Sequence, residues 1–255
     1  MSGMHPYFDN DGKPIALAHR GFSLDGLENS MSAFESAVRL GCRYVETDAH
    51  GTSDGVAVAL HDESLDRTTD GRGLVAQMPW REVRRARIGG VEPVPSLEDL
   101  LGAFPDLRVN VDVKGVSGIE PIARAIERTQ AHDRVCVASF SAARRDATVA
   151  LLSRPVATSA GTTEAASYFA RGAVGLGVSR PLRKVDALQI PMRVGRVRVL
   201  TSRHVAAAHR AGRQVHVWTI NDPDTMRELL DMGVDGLVSD RADLLKQVLV
   251  ERGQW

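Results

Sequence analysis

The chain has few cysteines, few aromatic residues and no excess charge of either sign, and each of these scarcities excludes a class of protein. Two cysteines among 255 residues cannot form a disulfide framework, and Cys42 and Cys136 lie in apolar runs, so we expect buried thiols. The 32 basic and 32 acidic side chains balance, so we expect no nucleic-acid partner. No apolar run approaches the roughly eighteen residues of a membrane span, so no stable membrane association is expected.

The remaining composition is that of a soluble globular protein, with 43% hydrophobic and 25% charged residues. The first residues, MSGMHPYFDNDGKP, contain no apolar stretch of signal-peptide length, from which we expect a cytoplasmic protein. No linker, repeat or low-complexity segment interrupts the chain. We therefore predict a single domain over residues 1–255, with its core at about 15–245. The oligomeric state is not readable from the sequence.

Apolar runs with strand character alternate with helical patterns through most of the chain. Strands are predicted at 14–21, 43–50, 56–62, 108–115, 134–140, 156–160, 187–190, 214–221 and 236–239. Helices are predicted from about residue 30 and over 96–103, 119–130, 142–152 and 224–232, while 63–95 is predicted to be irregular. This alternation favours a parallel sheet, because parallel strands need helical crossovers. About eight strands in this length predict an α/β protein with a closed (β/α)8 TIM barrel.

In such a barrel the chemistry lies at the carboxyl ends of the strands. Polar side chains cluster at the predicted strand ends: His19, Arg20, Glu46, Asp48, His61, Asp112, Lys114, Trp218 and Asn221. Polar groups in a barrel mouth must be hydrogen-bonded, paired or used. We therefore expect these residues to form an active site.

Glu46 and Asp48 are two residues apart on a strand, so their side chains share a face. Two carboxylates there repel each other unless a cation lies between them. Asp112 on another strand would supply a third oxygen ligand, and such a set suits Mg²⁺ or Ca²⁺. The alternative is that one or more of the three pairs with an arginine.

His19 and His61 are candidates for general acid–base catalysis, because an unperturbed imidazole titrates at about 6.5. Both end predicted strands beside charged groups. The other six histidines are expected to be structural: His5, His50, His132, His204, His209 and His216.

Arg20 and Lys114 offer the positive charge that a phosphodiester needs, with surface salt bridges as the alternative. Trp218 points into the barrel mouth if its neighbours face outward, and it would form an apolar wall against a substrate's carbon skeleton. A core tryptophan is the alternative. The arginines at 81–87 and 193–198 are expected to be solvated, although the second group, near a strand end, could also attract anionic head groups.

Several motifs occur in order along nearly the whole chain, from about Ile15 to Leu245. They are HRG at 19–21, ENS at 28–30, E-x-D at 46–48, SDG at 53–55, HD at 61–62, RTTDGRG at 67–73, VPSLEDLL at 94–101, VWTIND at 217–222 and DGLVSDRAD at 235–243. In this ordered combination the sequence resembles the glycerophosphodiester phosphodiesterase family.

The resemblance implies a TIM barrel with a divalent metal, usually Ca²⁺ or Mg²⁺, that hydrolyses glycerophosphodiesters to glycerol 3-phosphate and an alcohol. By position, His19 and His61 form the acid–base pair, with His61 as the proton donor to the departing alcohol. Arg20 and Lys114 hold the phosphate, and metal binding falls to Glu46, Asp48 and Asp112. Glu28 and Asn29 are supporting groups beside the metal and His19.

The chain departs from the family pattern at one position and is short at another. The family usually has Glu-x-Lys on the third strand, where this chain has Asp112-Val113-Lys114, so the carboxylate is one methylene shorter. Between His61 and the next barrel strand, secreted members often carry an added region, whereas here about 45 residues occur. We interpret this as an intracellular enzyme that recovers glycerol 3-phosphate from deacylated phospholipids.

Two other functions are compatible with the same residues. A lysophospholipase D or sphingomyelinase-D-like enzyme would use the same metal and histidines, but it needs an apolar groove or surface for an acyl chain. The 5% aromatic content and the lack of an amphipathic membrane helix disfavour this alternative. A barrel that only binds phosphoesters would be favoured if a histidine or metal ligand were missing, and none is.

Overall fold

The computed structural model describes residues 4–173 and 177–255, which contain eight parallel strands arranged as a nearly closed ring with helices around it. The strands are β1 (Ile15–His19), β2 (Tyr44–Gly51), β3 (Arg108–Val113), β4 (Val135–Ala138), β5 (Ala157–Thr158), β6 (Ala187–Pro191), β7 (Gln214–Trp218) and β8 (Gly236–Ser239). Each strand pairs with its neighbour in the chain, and β8 pairs with β1. Between β5 and β6 the ring closes through the bridge of Ser159 with Ala187. The predicted TIM barrel is confirmed.

Helices cover the outside of the ring. They are α1 (Met31–Leu40), α2 (Trp80–Val83), α3 (Leu97–Ala103), α4 (Ile119–Arg128), α5 (Ala142–Val149), α6 (Thr162–Ala173), α7 (Ser202–Arg210), α8 (Pro223–Asp231) and α9 (Ala242–Glu251). Four of the five predicted helices begin at a residue whose side chain caps them: Ser30 for α1, Ser96 for α3, Ser141 for α5 and Asp222 for α8. Helices α6, α7 and α9 were not predicted. Among the described residues, no helix is both long enough and apolar enough to cross a membrane.

One predicted strand does not belong to the ring. Only Ala57–Ala59 is extended in the segment 56–62, and it pairs antiparallel with the end of β2. The expectation that His61 ends a barrel strand is therefore wrong: the Ser53–Gly55 turn is tight, so it returns the chain alongside β2 rather than into a new parallel position. The irregular stretch 63–95 contains α2 and a two-residue ladder that joins 87–88 to 92–93.

Alternation along each strand determines what faces the barrel axis. On β1, Leu17 packs inside the ring and His19 follows it on the same face at the strand end. On β2, Tyr44 packs with Leu17, and Glu46 and Asp48 continue on that face. Each of these strands thus has an apolar inward residue near its amino end and reactive groups near its carboxyl end.

An aromatic cluster fills the amino-terminal end of the barrel. The ring of Tyr7 meets Phe8 and Tyr44 edge-on, with centroids 5.0 and 5.4 Å away. Cys136 lies in the same cluster, and Cys42 packs outside the ring, so both cysteines are buried free thiols as expected. This end of the barrel is closed by packing, which leaves the carboxyl end for the cavity.

Candidate active site

A cavity of about 660 Å³ opens at the carboxyl ends of the strands. The strand register aligns its polar residues, since His19 lies opposite Glu46, and Asp48 lies opposite Asp112. The cavity brings together all eight predicted catalytic, phosphate-binding and metal-binding residues: His19, Arg20, Glu46, Asp48, His61, Asp112, Lys114 and Trp218.

The two predicted supporting residues lie just behind this lining and shape the turn that carries Arg20. Arg20 and Asn29 both adopt left-handed backbone conformations, with φ of 57° and 59°. The amide of Asn29 donates to the Arg20 carbonyl at 2.9 Å, and the Arg20 amide donates to the Glu46 carbonyl at the same distance. Gly21 follows, where a Cβ would lie 2.7 Å from the Ala33 backbone. Such conformations are costly for non-glycine residues and persist where surrounding contacts fix them.

Asp48 receives both cations of the site. Lys114 Nζ lies 2.7 Å from Asp48 Oδ1 and 2.9 Å from Asp112 Oδ2. Arg20 Nε lies 3.0 Å from Asp48 Oδ2 as an ion pair without hydrogen-bond geometry, while its Nη1 donates to Glu28 Oε1 at 3.0 Å. Asn29 Nδ2 also donates to Asp48 Oδ2, at 3.2 Å. Burial alone would raise the pKa of Asp48, but Lys114 and Arg20 more than offset it, so the pKa lies below its ordinary value.

Glu46 and Asp112 hold buried negative charge that these cations balance only in part. Burial, and next the field of Asp48, raise the pKa of Glu46 well above its ordinary value. The group nearest to Glu46 that can carry a positive charge is His19, whose Nε2 lies 3.8 Å from Glu46 Oε2. Burial raises the pKa of Asp112 too, against the opposing effect of Lys114. Asp112 Oδ1 is buried with no hydrogen-bond partner. An additional cation would relieve both groups.

The donor set therefore fits a hard divalent cation in its chemistry. All three carboxylates line one cavity, one oxygen is unpartnered, and oxygen ligands are those that Mg²⁺ and Ca²⁺ take. Among the residues described, no three histidine, cysteine or carboxylate side chains converge as a closed ligand set. Lys114 lies between Asp48 and Asp112 instead.

His19 is held by a carboxylate whose role the sequence did not reveal. Its Nδ1 lies 2.6 Å from Asp240 Oδ1, and Asn221 Nδ2 donates to Asp240 Oδ2 at 2.8 Å. Burial would lower the pKa of His19, but the bond to Asp240 and the charge of Glu46 raise it above the ordinary value. Asp240 directly follows β8, at the same edge of the ring as the predicted residues. That position, within the DGLVSDRAD motif, is the signal that could have identified it.

His61 has a similar partner in the next residue. Its Nδ1 lies 2.6 Å from Asp62 Oδ1, which leaves Nε2 free of that contact. Arg67 donates to Asp62 at 2.5 Å and to Glu28 at 2.8 Å, so Glu28 joins Arg67 to Arg20. Arg67 holds the pKa of Asp62 well below its usual range. This chain of ion pairs fixes His61 although it lies outside the ring.

The six histidines expected to be structural divide by location. His50 is buried, and its Nε2 contacts the His61 carbonyl oxygen at 3.1 Å. His204 lines the outer part of the cavity, where its ring meets Phe169 edge-on at 5.0 Å. The remaining four, at positions 5, 132, 209 and 216, do not line the cavity.

Trp218 lines the cavity as expected, at the carboxyl end of β7. Its ring meets Phe140 edge-on with centroids 5.8 Å apart. The Phe140 ring in turn lies 5.6 Å from Lys114 Nζ. The two aromatic rings therefore border the charged residues of the cavity.

Proteins of one known family resemble this chain in sequence. The sequence profile of the Glycerophosphoryl diester phosphodiesterase family matches residues 19–244. A protein named "Probable glycerophosphodiester phosphodiesterase 2" from Mycobacterium tuberculosis is 48% identical over 251 residues, covering 97% of this chain and 95% of that protein. A glycerophosphodiester phosphodiesterase from Caldanaerobacter subterraneus is 27% identical, over 94% of this chain and 99% of that protein.

The fold has counterparts among solved structures. One is the structure of an Oleispira antarctica phosphodiesterase in complex with the product sn-glycerol-3-phosphate. It superposes with a TM-score of 0.76 at 22% identity, covering 93% of this chain and 97% of the other. A glycerophosphodiester phosphodiesterase from Agrobacterium tumefaciens gives 0.74 at 24% identity, covering 93% and 99%. With the profile match and the mycobacterial relative each spanning most of the sequence, the chain belongs to the glycerophosphoryl diester phosphodiesterase family.

Proposed function

We propose that the chain hydrolyses glycerophosphodiesters to glycerol 3-phosphate and a free alcohol, with His19 and His61 as acid–base groups and with a divalent cation. Membership of the family makes it a phosphodiesterase. The observation that carries the residue roles is one cavity in which two carboxylate-held histidines accompany Arg20 and Lys114.

The histidines are arranged for proton transfer. In each ring Nδ1 faces a carboxylate, Asp240 or Asp62, so this nitrogen carries a proton and Nε2 is the atom that exchanges one. His61, at the outer edge of the site, gives its proton to the departing alcohol, as the family resemblance implies. His19, beside Glu46, takes the proton from the attacking hydroxyl. Each transfer contributes roughly 10²–10⁴-fold to the rate.

Arg20 and Lys114 bind the phosphate. Both are tied to Asp48, and Arg20 also to Glu28, so their charges are positioned before substrate arrives. Charged donors fixed in this way stabilise the negative charge that develops on the phosphoryl oxygens. Trp218 and Phe140 border the phosphate position and contact the carbon part of the substrate.

Glu46, Asp48 and Asp112 would hold the divalent cation, Mg²⁺ or Ca²⁺. When bound, such an ion polarises a phosphoryl oxygen and lowers the pKa of a bound hydroxyl or water. The unpartnered oxygen of Asp112 and the buried charge of Glu46 support this assignment. The side chain of Asp112 is one methylene shorter than the glutamate that the family usually has there, and this difference would affect which ion binds.

The test is release of glycerol 3-phosphate from glycerophosphocholine and glycerophosphoethanolamine. Metal-stripped protein receives Mg²⁺, Ca²⁺ or Mn²⁺ in turn, and we expect one of them to restore turnover. His19→Ala and His61→Ala should each lose at least a hundredfold in kcat. His209→Ala, whose ring binds Asp235 outside the cavity, is the matched control and should keep full activity.

The same variants separate catalysis from simple binding. A barrel that only bound phosphoesters would show no metal-restored turnover, and its histidine variants would lose at most some affinity. Absence of turnover with every metal would contradict the proposed function.

A further inference from the structure

Charge is distributed unevenly along a chain whose total charge is zero. Residues 165–221, which we call the basic sector, contain ten lysines and arginines but only one acidic residue, Asp186. The net charge is therefore +9 in this sector and −9 in the remainder of the chain. The sector runs through most of α6 and through β6, α7 and β7, which are neighbours in the ring, so it forms one continuous side of the barrel.

The positive charges of the basic sector are exposed and lack carboxylate partners. Seven of the ten side chains are exposed. Among the described residues, Arg198 alone of the ten pairs with a carboxylate, that of Glu228. Asp186 does not neutralise the surface, because its carboxylate accepts from the amide and the hydroxyl of Thr158. Like charges that are left unbalanced repel each other and favour an anionic partner.

A short hairpin at the carboxyl end of β6 combines these charges with exposed apolar side chains. In the segment 193–198, of sequence RVGRVR, Arg193–Val194 pairs antiparallel with Val197–Arg198. The two valines lie directly opposite each other on one face and are 62% and 66% exposed. Within the ranges 4–173 and 177–255, the guanidinium of Arg196 has no hydrogen-bond partner, and that of Arg193 donates only to the Arg196 carbonyl oxygen. The hairpin thus presents two valines beside two unneutralised arginines.

Helix α7 continues the charged surface next to the hairpin. Arg203, Ala206 and Arg210 follow each other at intervals of three and four residues, so they share one face of the helix, and all three are exposed. Further exposed cations precede β6, at positions 180, 183 and 184. The sector is therefore basic along its whole length, whereas the exposed valines are confined to the hairpin.

The side chains of the sector distinguish between classes of anionic partner. Proteins that bind single-stranded nucleic acid stack bases on aromatic side chains. The three aromatic residues of the sector do not serve this purpose, because Tyr168 is buried while Phe169 and Trp218 line the active-site cavity. At a bilayer surface, aliphatic side chains enter the boundary of the acyl chains while arginines bind the anionic head groups. An anionic lipid surface therefore matches both the arginines and the valines.

We propose that the basic sector docks the protein on membranes that contain anionic lipids. Val194 and Val197 enter the lipid surface, Arg196 and Arg203 bind the phosphates of the head groups, and the other cations of the sector strengthen the attraction. Val194 also lines the active-site cavity, so docking holds the mouth of the cavity at the lipid surface. The binding is peripheral and reversible, and it does not depend on the proposed hydrolysis.

This inference differs from the expectation that composition supports. A balanced total of 32 basic and 32 acidic side chains argues against an anionic surface as a partner only if the charges are mixed along the chain. Here one side of the barrel has a surplus and the rest a deficit, and such a distribution orients the protein towards an anionic surface.

The test is sedimentation with lipid vesicles in the absence of substrate. The full chain is mixed with vesicles of phosphatidylcholine alone or of phosphatidylcholine with about one-third phosphatidylglycerol, and the bound fraction gives a partition coefficient. We expect binding to the anionic vesicles only, and we expect added salt to weaken it, because salt screens the attraction between exposed charges.

Two double variants place the binding on the hairpin and on α7. Arg196→Gln combined with Arg203→Gln should lower the partition coefficient by about twenty-fivefold, since each arginine near an anionic surface contributes about fivefold. Arg84→Gln combined with Arg85→Gln is the matched control, because both arginines are exposed and lie outside the sector. This control should bind like the parent.

The second double variant tests the valines. Val194→Ser combined with Val197→Ser should lower the partition coefficient at least about fivefold while its salt dependence stays that of the parent, because the charges are unchanged. Leu151→Ser combined with Val250→Ser removes two similarly exposed apolar side chains elsewhere and should bind like the parent. The Tm of every variant is compared with that of the parent, and we expect no loss because all the substituted residues are exposed.

Each result decides for or against the inference. Binding to anionic vesicles that weakens in both sector variants and in neither control supports it. No binding at low salt, equal binding to both kinds of vesicle, or equal losses in sector and control variants overturns it. Tighter binding to a single-stranded oligonucleotide than to the anionic vesicles overturns it too, and would assign the sector to nucleic acid.

Discussion

Asp240 Oδ1 lies 2.6 Å from Nδ1 of His19, so the last strand of the barrel orients a side chain at the end of the first. Asn221 donates to the other Asp240 oxygen at 2.8 Å and accepts from the Asp240 amide at 2.9 Å. The carboxylate is therefore fixed on both sides, and it fixes the tautomer of the imidazole.

Replacement of this carboxylate should impair catalysis more than binding. In Asp240→Asn the amide no longer stabilises a proton on Nδ1, so Nε2 presents the wrong protonation state for part of the population. We expect kcat on glycerophosphocholine to fall by about ten- to a hundredfold with KM nearly constant, a part of the roughly 10²–10⁴-fold that proton transfer contributes. Asp243→Asn, which disturbs only a surface pair with Arg241, is the control. Equal losses in both variants would refute a specific role for Asp240.

Metal binding can be measured without turnover. An ion that binds only the folded state at about 100 times its Kd stabilises the protein by about 2.7 kcal/mol, so Mg²⁺ or Ca²⁺ should raise the Tm of metal-stripped protein. Glu46→Gln should remove most of this shift. It should also leave the metal-free protein at least as stable as the parent, because it neutralises a buried, crowded carboxylate. Glu35→Gln, on the exposed face of α1, should respond to metal like the parent. A full metal-induced shift in Glu46→Gln would mean that Glu46 is not a ligand.

Arg145 is the largest fully buried side chain of the structure as described, and it joins α5 to the start of α6. Its Nη1 donates to the Ser159 carbonyl at 2.8 Å and to Glu164 at 2.6 Å. Arg145→Met should leave the Ser159 carbonyl without a donor and Glu164 with only the Gly161 amide. We expect it to lower the free energy of unfolding by about 3–5 kcal/mol, measured by urea denaturation. Arg81→Met, which loses one exposed pair with Glu82, should change it by less than about 0.5 kcal/mol. Similar losses in the two variants would contradict this prediction.

His216 should make the fold sensitive to acid. Burial lowers its pKa to about 4, so in the folded state it stays neutral while the unfolded chain takes up a proton below about pH 6.5. Between these pH values the unfolded state binds more protons, so stability falls as the pH falls, by about 3 kcal/mol from this group.

Urea titrations at several pH values test this contribution. In His216→Gln the loss of stability between pH 6.5 and 4 should be smaller than in the parent by roughly that amount, about 3 kcal/mol. Between pH 7 and 9 the two proteins should change in parallel, which serves as the internal control. If the free energies of unfolding of the two proteins also changed in parallel below pH 6, a group other than His216 would be responsible for the acid sensitivity.

The barrel and most of its reactive residues were predictable because both depend on local patterns. The alternation of strands and helices determines the fold class, and strand ends are recognisable as polar groups after apolar runs. Glu46 and Asp48 share a face simply because they are two residues apart.

The features that sequence reasoning missed depend on contacts between distant segments. The bond from Asp240 to His19 spans 221 positions, so the local motif can mark Asp240 as a strand-end carboxylate but cannot indicate which side chain it contacts. The short strand before His61 was mistaken for a barrel strand because its apolar character reveals extension but not the direction of pairing. Helix α6 was missed because four of its twelve residues are alanines, whose small side chains give only a weak hydrophobic pattern at helical spacing.

The position of β2 across the ring from β6 separates two kinds of evolutionary change. Substitutions in the segment 62–96 would alter the part of the cavity beside His61, whereas substitutions in α6 or in the segment 193–198 would alter the part across the ring. Sites so far apart combine nearly additively in free energy. Evolution could therefore change which group binds at one end of the cavity. The residues at the other end, and the reactive groups between the two ends, would not have to change with it.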